Sequence, residues 1–340
     1  SGTSLDGLDL VYVVFDKNNY KNFEIRCSET IPYSTLWKQK LAKGIHQSKE
    51  ALLKLDIEYG ELLAKKVNTF IKENDIVNID FIASHGHTIL HQPEKGVTLQ
   101  IGNGQVLATG TQKKVVCDFR TQDVKLGGQG APLVPIGDAF LFDQYDACLN
   151  LGGFANVSFK ENNKRIAFDI CPVNIVLNYY VNGLGFDFDN KGLIAASGAI
   201  HNELLQELNV LQFYKMHPPK SLGLEWVQST IFSLIDQKRI APKDVLRTFV
   251  EHIAIQIANS TKNCKNLLIT GGGVFNDFLI KRIQHFSNLE IIIPDSQIVH
   301  FKEALIFAFL GLLRVDNQVN CLSSVTGAKK DHSSGVIFLP

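Results

Sequence analysis

Several short stretches of this chain combine residue types and spacings that can do chemistry. The first is SGTSLDG, Ser1 to Gly7. Its small residues expose backbone N–H groups, Thr3 and Ser4 add hydroxyl donors, and such a loop can cradle phosphate oxygens. Asp6 suits a hard divalent cation such as Mg²⁺ held through water; the same composition also makes a plain hairpin turn. The second is LNLGGFANVS, where an apolar strand runs into Gly152 and Gly153 and a second strand returns. It is a further phosphate turn or an ordinary β-hairpin. The third, ITGGGVFND, sets Gly271, Gly272 and Gly273 between a strand and a helix. Three glycines there let a ligand approach the backbone closely, or simply make a tight turn. The spacing is not GxGxxG, so a dinucleotide fingerprint is absent. The fourth, FDICPVN, puts Asp169 at the end of a strand and ahead of a helix start. Open α/β folds place catalytic acids and bases there; a helix N-cap is the plainer role.

Histidines and charges near the middle of the chain add to this set. SHGHTILHQP holds His85, His87 and His91. The group lacks a nearby cysteine or carboxylate to complete a tetrahedral zinc set, so polar contacts in a loop are the expectation. CDFRTQDVKLGGQGAP places Arg120 and Asp123 after a strand end, beside a glycine-rich loop. Arginine is suited to pairing with carboxylate or phosphate; a mutual surface pair of the two is the alternative. Glu303 opens the last apolar helix as read from the pattern, where the helix dipole favours a carboxylate.

The elements that must position these residues follow from periodicity. Residues 9–15 and 22–27 read as paired strands, and 79–84, 97–101 and 115–118 as further short ones. Leu52, Leu55, Tyr59, Leu62, Leu63, Val67 and Phe70 step by three and four, which predicts a helix over 48–74. From Ala147 a second series runs strand, glycine turn, strand, and a third strand ending at Asp169. A helix follows Pro172, and more are expected at 202–208, 225–237, 242–262, 276–286 and 302–314. Strands 265–270 and 289–294 complete the second half. The stretch DVKLGGQGAPLVP is too apolar for a linker and reads as an ordered functional loop.

The 340 residues favour two domains, here 1–145 and 146–340, with the last helix free to cross back onto the first. Lys+Arg and Asp+Glu are both 34, so no global field draws the chain to nucleic acid or an anionic membrane. The longest apolar run, Ala304 to Leu313, is half of a membrane span. Six scattered cysteines without a CxxC pair read as reduced, and a cytoplasmic location follows. Two glycine turns on strand ends, a third before a helix and a strand-end aspartate together point to phosphoryl transfer.

In their order, SGTSLDG, SHGHTILHQP, GGQGAPLVP, LNLGGFANV, AFDICPVN, NKGLIAASG, LLITGGGVFND, KEALIFAFLG and SSVTGA resemble the anhydro-N-acetylmuramic acid kinase family, across essentially the whole chain. That resemblance implies a two-domain actin-like/hexokinase-like (ribonuclease H-like) α/β fold with an interdomain cleft. It implies ATP and Mg²⁺ as cofactors. The family's ATP-phosphate loop falls on Gly2, Thr3, Ser4, Leu5, Asp6, Gly7, Leu8 and Asp9, with the metal at Asp6, and its adenosine-side turn on Gly271, Gly272 and Gly273. Its catalytic aspartate falls on Asp169, and substrate contacts are implied for His85, Arg120, Asp123, Asn174 and Glu303. The family reads DTGPGN where this chain has DICPVN, so Ile170, Cys171 and Val173 make a bulkier helix start. The family also carries a short strand before SGTSLDG, without which the first sheet has an open edge.

The implied reaction opens the 1,6-anhydro bridge of anhydro-N-acetylmuramic acid with water and phosphorylates the 6-oxygen, a step of cell-wall recycling. An ordinary sugar 6-kinase and a non-catalytic sugar or nucleotide sensor are the other readings. A small-molecule sugar is the expected partner, with no nucleic acid and no membrane; a homodimer stays open.

Overall fold

A computed structural model describes residues 5–340. Gly2, Thr3 and Ser4 of the expected phosphate loop lie outside the described residues. The strands in chain order are β1 (Gly7–Phe15), β2 (Phe23–Pro32), β3 (Ile82–Ala83), β4 (His87–Gln92), β5 (Val97–Ile101), β6 (Val115–Cys117), β7 (Ala147–Leu151), β8 (Phe154–Glu161), β9 (Lys164–Pro172), β10 (Asn266–Thr270), β11 (Glu290–Ile292) and β12 (Val336–Phe338). The chain forms two compact units, Ser1–Leu141 with Phe301–Pro340, and Phe142–His300. The first unit ends at Leu141, close to the expected 145/146 division, and includes the last stretch of chain from Phe301. The reason is β12, which lies antiparallel on β6 with Ile337 opposite Val116.

The first unit is built on the hairpin β1–β2, the sheet β12–β6–β3 and the hairpin β4–β5. The segment HTILHQ, expected as loop, is strand β4, because the alternation of His87 and Ile89 inward matches its pairing with β5. The helix Lys49–Glu73 is capped by Ser48, whose hydroxyl accepts from Ala51 N at 3.3 Å. Its buried face, Leu55, Tyr59, Leu63, Ala64, Val67 and Phe70, is largely the one the spacing predicts. Asp56 on this helix accepts from Gly102 N (2.8 Å) and Asn103 Nδ2 (2.9 Å), tying it to the end of β5. The helix Ser296–Val315 begins earlier than expected. It places Glu303 in its second turn, not its first. Between β1 and the Ile79–Gly86 segment lies a cavity of about 460 Å³, lined also by Leu63, Val67 and Phe307.

In the second unit the sheet order is β11–β10–β7–β8–β9. β10 and β11 run parallel to β7, while β8 is antiparallel to both β7 and β9. Counted within the unit this is the order 3-2-1-4-5 with the second strand reversed, the ribonuclease H-like arrangement. The helix Pro242–Ser260 starts on a proline, which suits a first helical turn, and buries Val245, Leu246, Phe249, Val250, Ile253 and Ile257. On that helix, fully buried His252 meets Asn209 Oδ1 (2.7 Å) and Tyr214 Oη (2.9 Å), and burial pushes it down to about 3.

Candidate active site

The second unit brings most of its expected site residues to one end of its sheet. β7 and β10 are parallel, with Asn150 opposite Thr270. Their two glycine turns therefore leave the sheet side by side. Gly271 has φ +85°, and a Cβ there would lie 2.6 Å from Asn150 Oδ1 and 2.8 Å from Leu151 O. A Cβ on Gly273 would sit 2.6 Å from Leu151 Cβ. Glycine at these positions lets one turn pack on the other. Gly272 differs: it is exposed, and a Cβ on it would meet nothing within 4 Å. As first residues of the turn Gly272–Phe275, Gly272 and Gly273 have N–H groups without an intrahelical acceptor. Asn276 then caps the helix Asp277–Phe286, accepting from Leu279 N at 2.9 Å.

The turn Gly152–Gly153 seats the helix Asn174–Asn182. Val173 N donates to Gly153 O (2.8 Å) and Asn174 N to Gly152 O (3.3 Å). Asn174 Nδ2 reaches Leu151 O at 3.5 Å. The departure ICPV lies in the core here: Ile170, Cys171 and Val173 are buried. The bulk expected to crowd the helix start thus packs inward.

Asp169 is not a helix cap. β9 continues past it to Pro172, and Val173 occupies the cap position. Asp169 pairs with Asn156 of β8 across a register shift. Its backbone N donates to Lys220 O (3.1 Å), and its Oδ2 accepts from Leu222 N (2.8 Å). Oδ1 has no hydrogen-bond partner among the described residues. Burial pushes this carboxyl above its usual range, and the Leu222 N–H partly offsets that. Lys220 stands over the rings of Phe168 and Phe213, with Nζ at 3.2 Å from Phe213 O. The segment Lys220–Leu222 was missed in the sequence; the Pro218-Pro219 pair ahead of it is the signal that marks a shaped turn.

The first unit holds the rest. Asp6 is exposed in a bend, Leu5 has φ +58°, and Gly7, Leu8 and Asp9 already belong to β1. Leu8 is buried, and Asp9 Oδ1 accepts from Thr30 Oγ1 at 2.6 Å. Arg120 does not pair with Asp123. Its Nε and Nη2 lie 3.1 and 2.9 Å from His85 Nε2, and Nη1 donates to Gly130 O at 2.6 Å. Burial first, and the guanidinium second, push His85 well below its usual value, so a neutral ring accepts through Nε2. The Glu303 carboxylate is exposed and acts on Arg120 through space. Asp123 is fully buried: Oδ2 accepts from Gly130 N (2.7 Å), and Oδ1 from Thr326 Oγ1 (2.7 Å) and Cys321 Sγ (3.0 Å). It braces the GGQGAP loop from within. The three histidines face different partners: His85 the guanidinium, His87 the ring of Tyr59, and His91 Thr98 Oγ1.

The family model for anhydro-N-acetylmuramic acid kinase matches residues 1–340. The chain belongs to the anhydro-N-acetylmuramic acid kinase family. It is thereby an ATP-dependent carbohydrate kinase. An anhydro-N-acetylmuramic acid kinase of Mannheimia succiniciproducens is 34% identical over 366 residues, covering 99% of this chain and 97% of that one. Relatives of the same name from Pseudomonas syringae pv. syringae and Sulfurimonas denitrificans are 33% and 31% identical, again over 99% of this chain and 97% of theirs. A nucleotide-bound divalent cation would call for hard oxygen donors. Asp6, an exposed carboxylate, fits that requirement. The open Gly272 fits a close-lying nucleotide.

Proposed function

We propose that Asp169 is the general base with which this kinase opens the 1,6-anhydro ring of anhydro-N-acetylmuramic acid, yielding N-acetylmuramic acid 6-phosphate. The observation that carries this is the state of its carboxylate. One oxygen is fixed by the Leu222 N–H, the other has no partner among the described residues, and the group's affinity for protons is raised by burial. A base in this state takes a proton from water at the anomeric carbon more readily than an exposed aspartate; positioned proton transfer as such contributes ~10²–10⁴-fold. ATP, when bound, supplies the phosphoryl group that the freed 6-oxygen accepts.

Gly2–Asp9 and Gly152–Gly153 are assigned to the phosphates and Gly271–Gly273 to the adenosine side. Asp6 would hold Mg²⁺, which would neutralise phosphate charge. On the sugar side, Arg120, oriented by His85, is assigned to the lactyl carboxylate, since a guanidinium matches a carboxylate. Glu303 and Asn174 are assigned to polar sugar groups, and Asp123 acts through the loop it braces. Six free cysteines support a reducing, cytoplasmic setting, and no helix of the described residues is long and apolar enough to cross a membrane.

The test is phosphorylation of the anhydro-sugar beside the plain sugar, by the wild type and by Asp169→Asn. Use of the anhydro-sugar with loss of turnover in the variant supports the assignment. A folded variant with near wild-type turnover removes Asp169 from the mechanism.

A further inference from the structure

The brace around Asp123 contains more than hydrogen bonds. Cys321 and His332 are backbone neighbours, with Cys321 N donating to His332 O (3.1 Å) and His332 N to Cys321 O (3.2 Å). Both side chains turn to the same carboxylate oxygen. Cys321 Sγ lies 3.0 Å and His332 Nε2 3.6 Å from Asp123 Oδ1. The three ligand-type atoms all fall within 4.8 Å of one another, and the three residues are 0%, 1% and 6% exposed.

The ring of His332 sets this arrangement apart. Its Nδ1 is 3.1 Å from Lys330 O. A carbonyl oxygen only accepts, so Nδ1 carries a hydrogen and Nε2 is the ring's other ligand atom. Nε2 is buried, has no hydrogen-bond partner, and faces a carboxylate oxygen. At 3.6 Å that oxygen is beyond hydrogen-bond range. A metal ion could ligate all three side chains. Tetrahedral ligands at about 2.0–2.3 Å from zinc stand roughly 3.3–3.7 Å apart. A backbone carbonyl on the far nitrogen is also how metal-bound histidines are held.

We propose that Asp123, Cys321 and His332 form a structural site for a thiophilic divalent cation of the zinc class. It staples the C-terminal segment 321–332 to the glycine-rich loop 123–130. Thiolate, imidazole and carboxylate together select zinc over the magnesium that serves nucleotide chemistry. Without a cation the Cys321 thiol stays protonated, since burial and the neighbouring carboxylate push it up. Binding therefore exchanges the S–H proton for a metal–sulfur bond and releases that proton to solvent. The staple has a functional address. Gly130, whose N–H Asp123 holds, also offers its carbonyl to Arg120. Loss of the ion would loosen the support of that guanidinium without touching Asp169.

The experiment uses the purified full chain. Bound metal is measured by elemental analysis before and after a chelator, melting temperature is followed as zinc is restored, and cobalt(II) is used as a spectroscopic probe. The proposal expects a single zinc per chain, a lower melting temperature after stripping, and thiolate-to-cobalt charge-transfer absorption. Cys321→Ser and His332→Gln should weaken zinc binding at least tenfold, and Cys321→Ser should abolish the charge-transfer band. Wild-type protein that takes up no stoichiometric zinc, shows no thiolate–cobalt band and melts unchanged in chelator overturns it. These wild-type measurements decide the matter even if a variant fails to fold.

Discussion

Asp169 and Asp123 are both aspartates withdrawn from solvent, one in each unit, and they are held in opposite ways. Asp123 is fully buried, and both oxygens are engaged by Gly130, Thr326 and Cys321. Asp169 is half-buried, with one oxygen on Leu222 N and the other left without a partner among the described residues. A carboxylate with both oxygens engaged holds a loop in shape. One with a free lone pair and a raised proton affinity can take a proton. They differ in burial and, more sharply, in the tally of donors: three on Asp123 and one on Asp169.

The comparison breaks most sharply on turnover. Asp169→Asn keeps the side-chain shape and should cut the rate by ~10²–10⁴-fold with ATP affinity little changed, read from steady-state kinetics beside melting temperature. Asp123→Ala should act on stability. It strands the Gly130 N–H and Thr326 hydroxyl inside the protein, at a cost of about 2–4 kcal/mol, measured by denaturant unfolding. If Asp123→Ala melted like the wild type, the bracing role would be lost.

A finer test concerns the glycine turn. Gly272→Ala meets no protein atom within 4 Å, so folding should be unaffected. If nucleotide lies against that backbone, KM for ATP should rise by about three- to tenfold, roughly 1 kcal/mol. Gly271→Ala, at φ +85° and against Asn150, should instead lower the melting temperature.

The smallest effect is in pH dependence. The Asp169 carboxyl is raised from 3.8 in the fold, so its contribution to stability is present below that value and is lost as pH rises through the raised one. Asp169→Asn cannot ionise. It should be at least as stable as the wild type at neutral pH and lack that decline, as thermal melts across acid to neutral pH would show. For activity the sign reverses: the base must be ionised, so kcat/KM should rise through the same window in the wild type.

Much of the second unit's local structure could be read directly from residues. Strand-end apolar runs followed by glycines mark turns because few other residues permit close backbone approach, and β7, β10 and the helix after Pro172 follow from that. The resemblance added roles that no pattern contains, such as base for Asp169. The first unit was less legible. HTILHQ reads as loop in the sequence, yet it is strand β4, and His87 packs on Tyr59 inside the core. Arg120 and Asp123 are close in sequence, yet Arg120 bonds His85 and Gly130 O while Asp123 accepts from Gly130 N, Thr326 and Cys321.

Composition, periodicity and glycine placement determined the α/β class, the helix faces and which turns come close to the sheet ends. These are local matters: side-chain period and backbone freedom act over a few residues. The tertiary structure alone decided which polar groups are satisfied. Leu222, far along the chain, fixes one oxygen of Asp169, and Cys321, Thr326 and His332 surround Asp123 from the other end of the sequence. Hydrogen-bond satisfaction and desolvation depend on neighbours in space, so no reading of adjacent residues could separate the carboxylate proposed as base from the one that holds a loop.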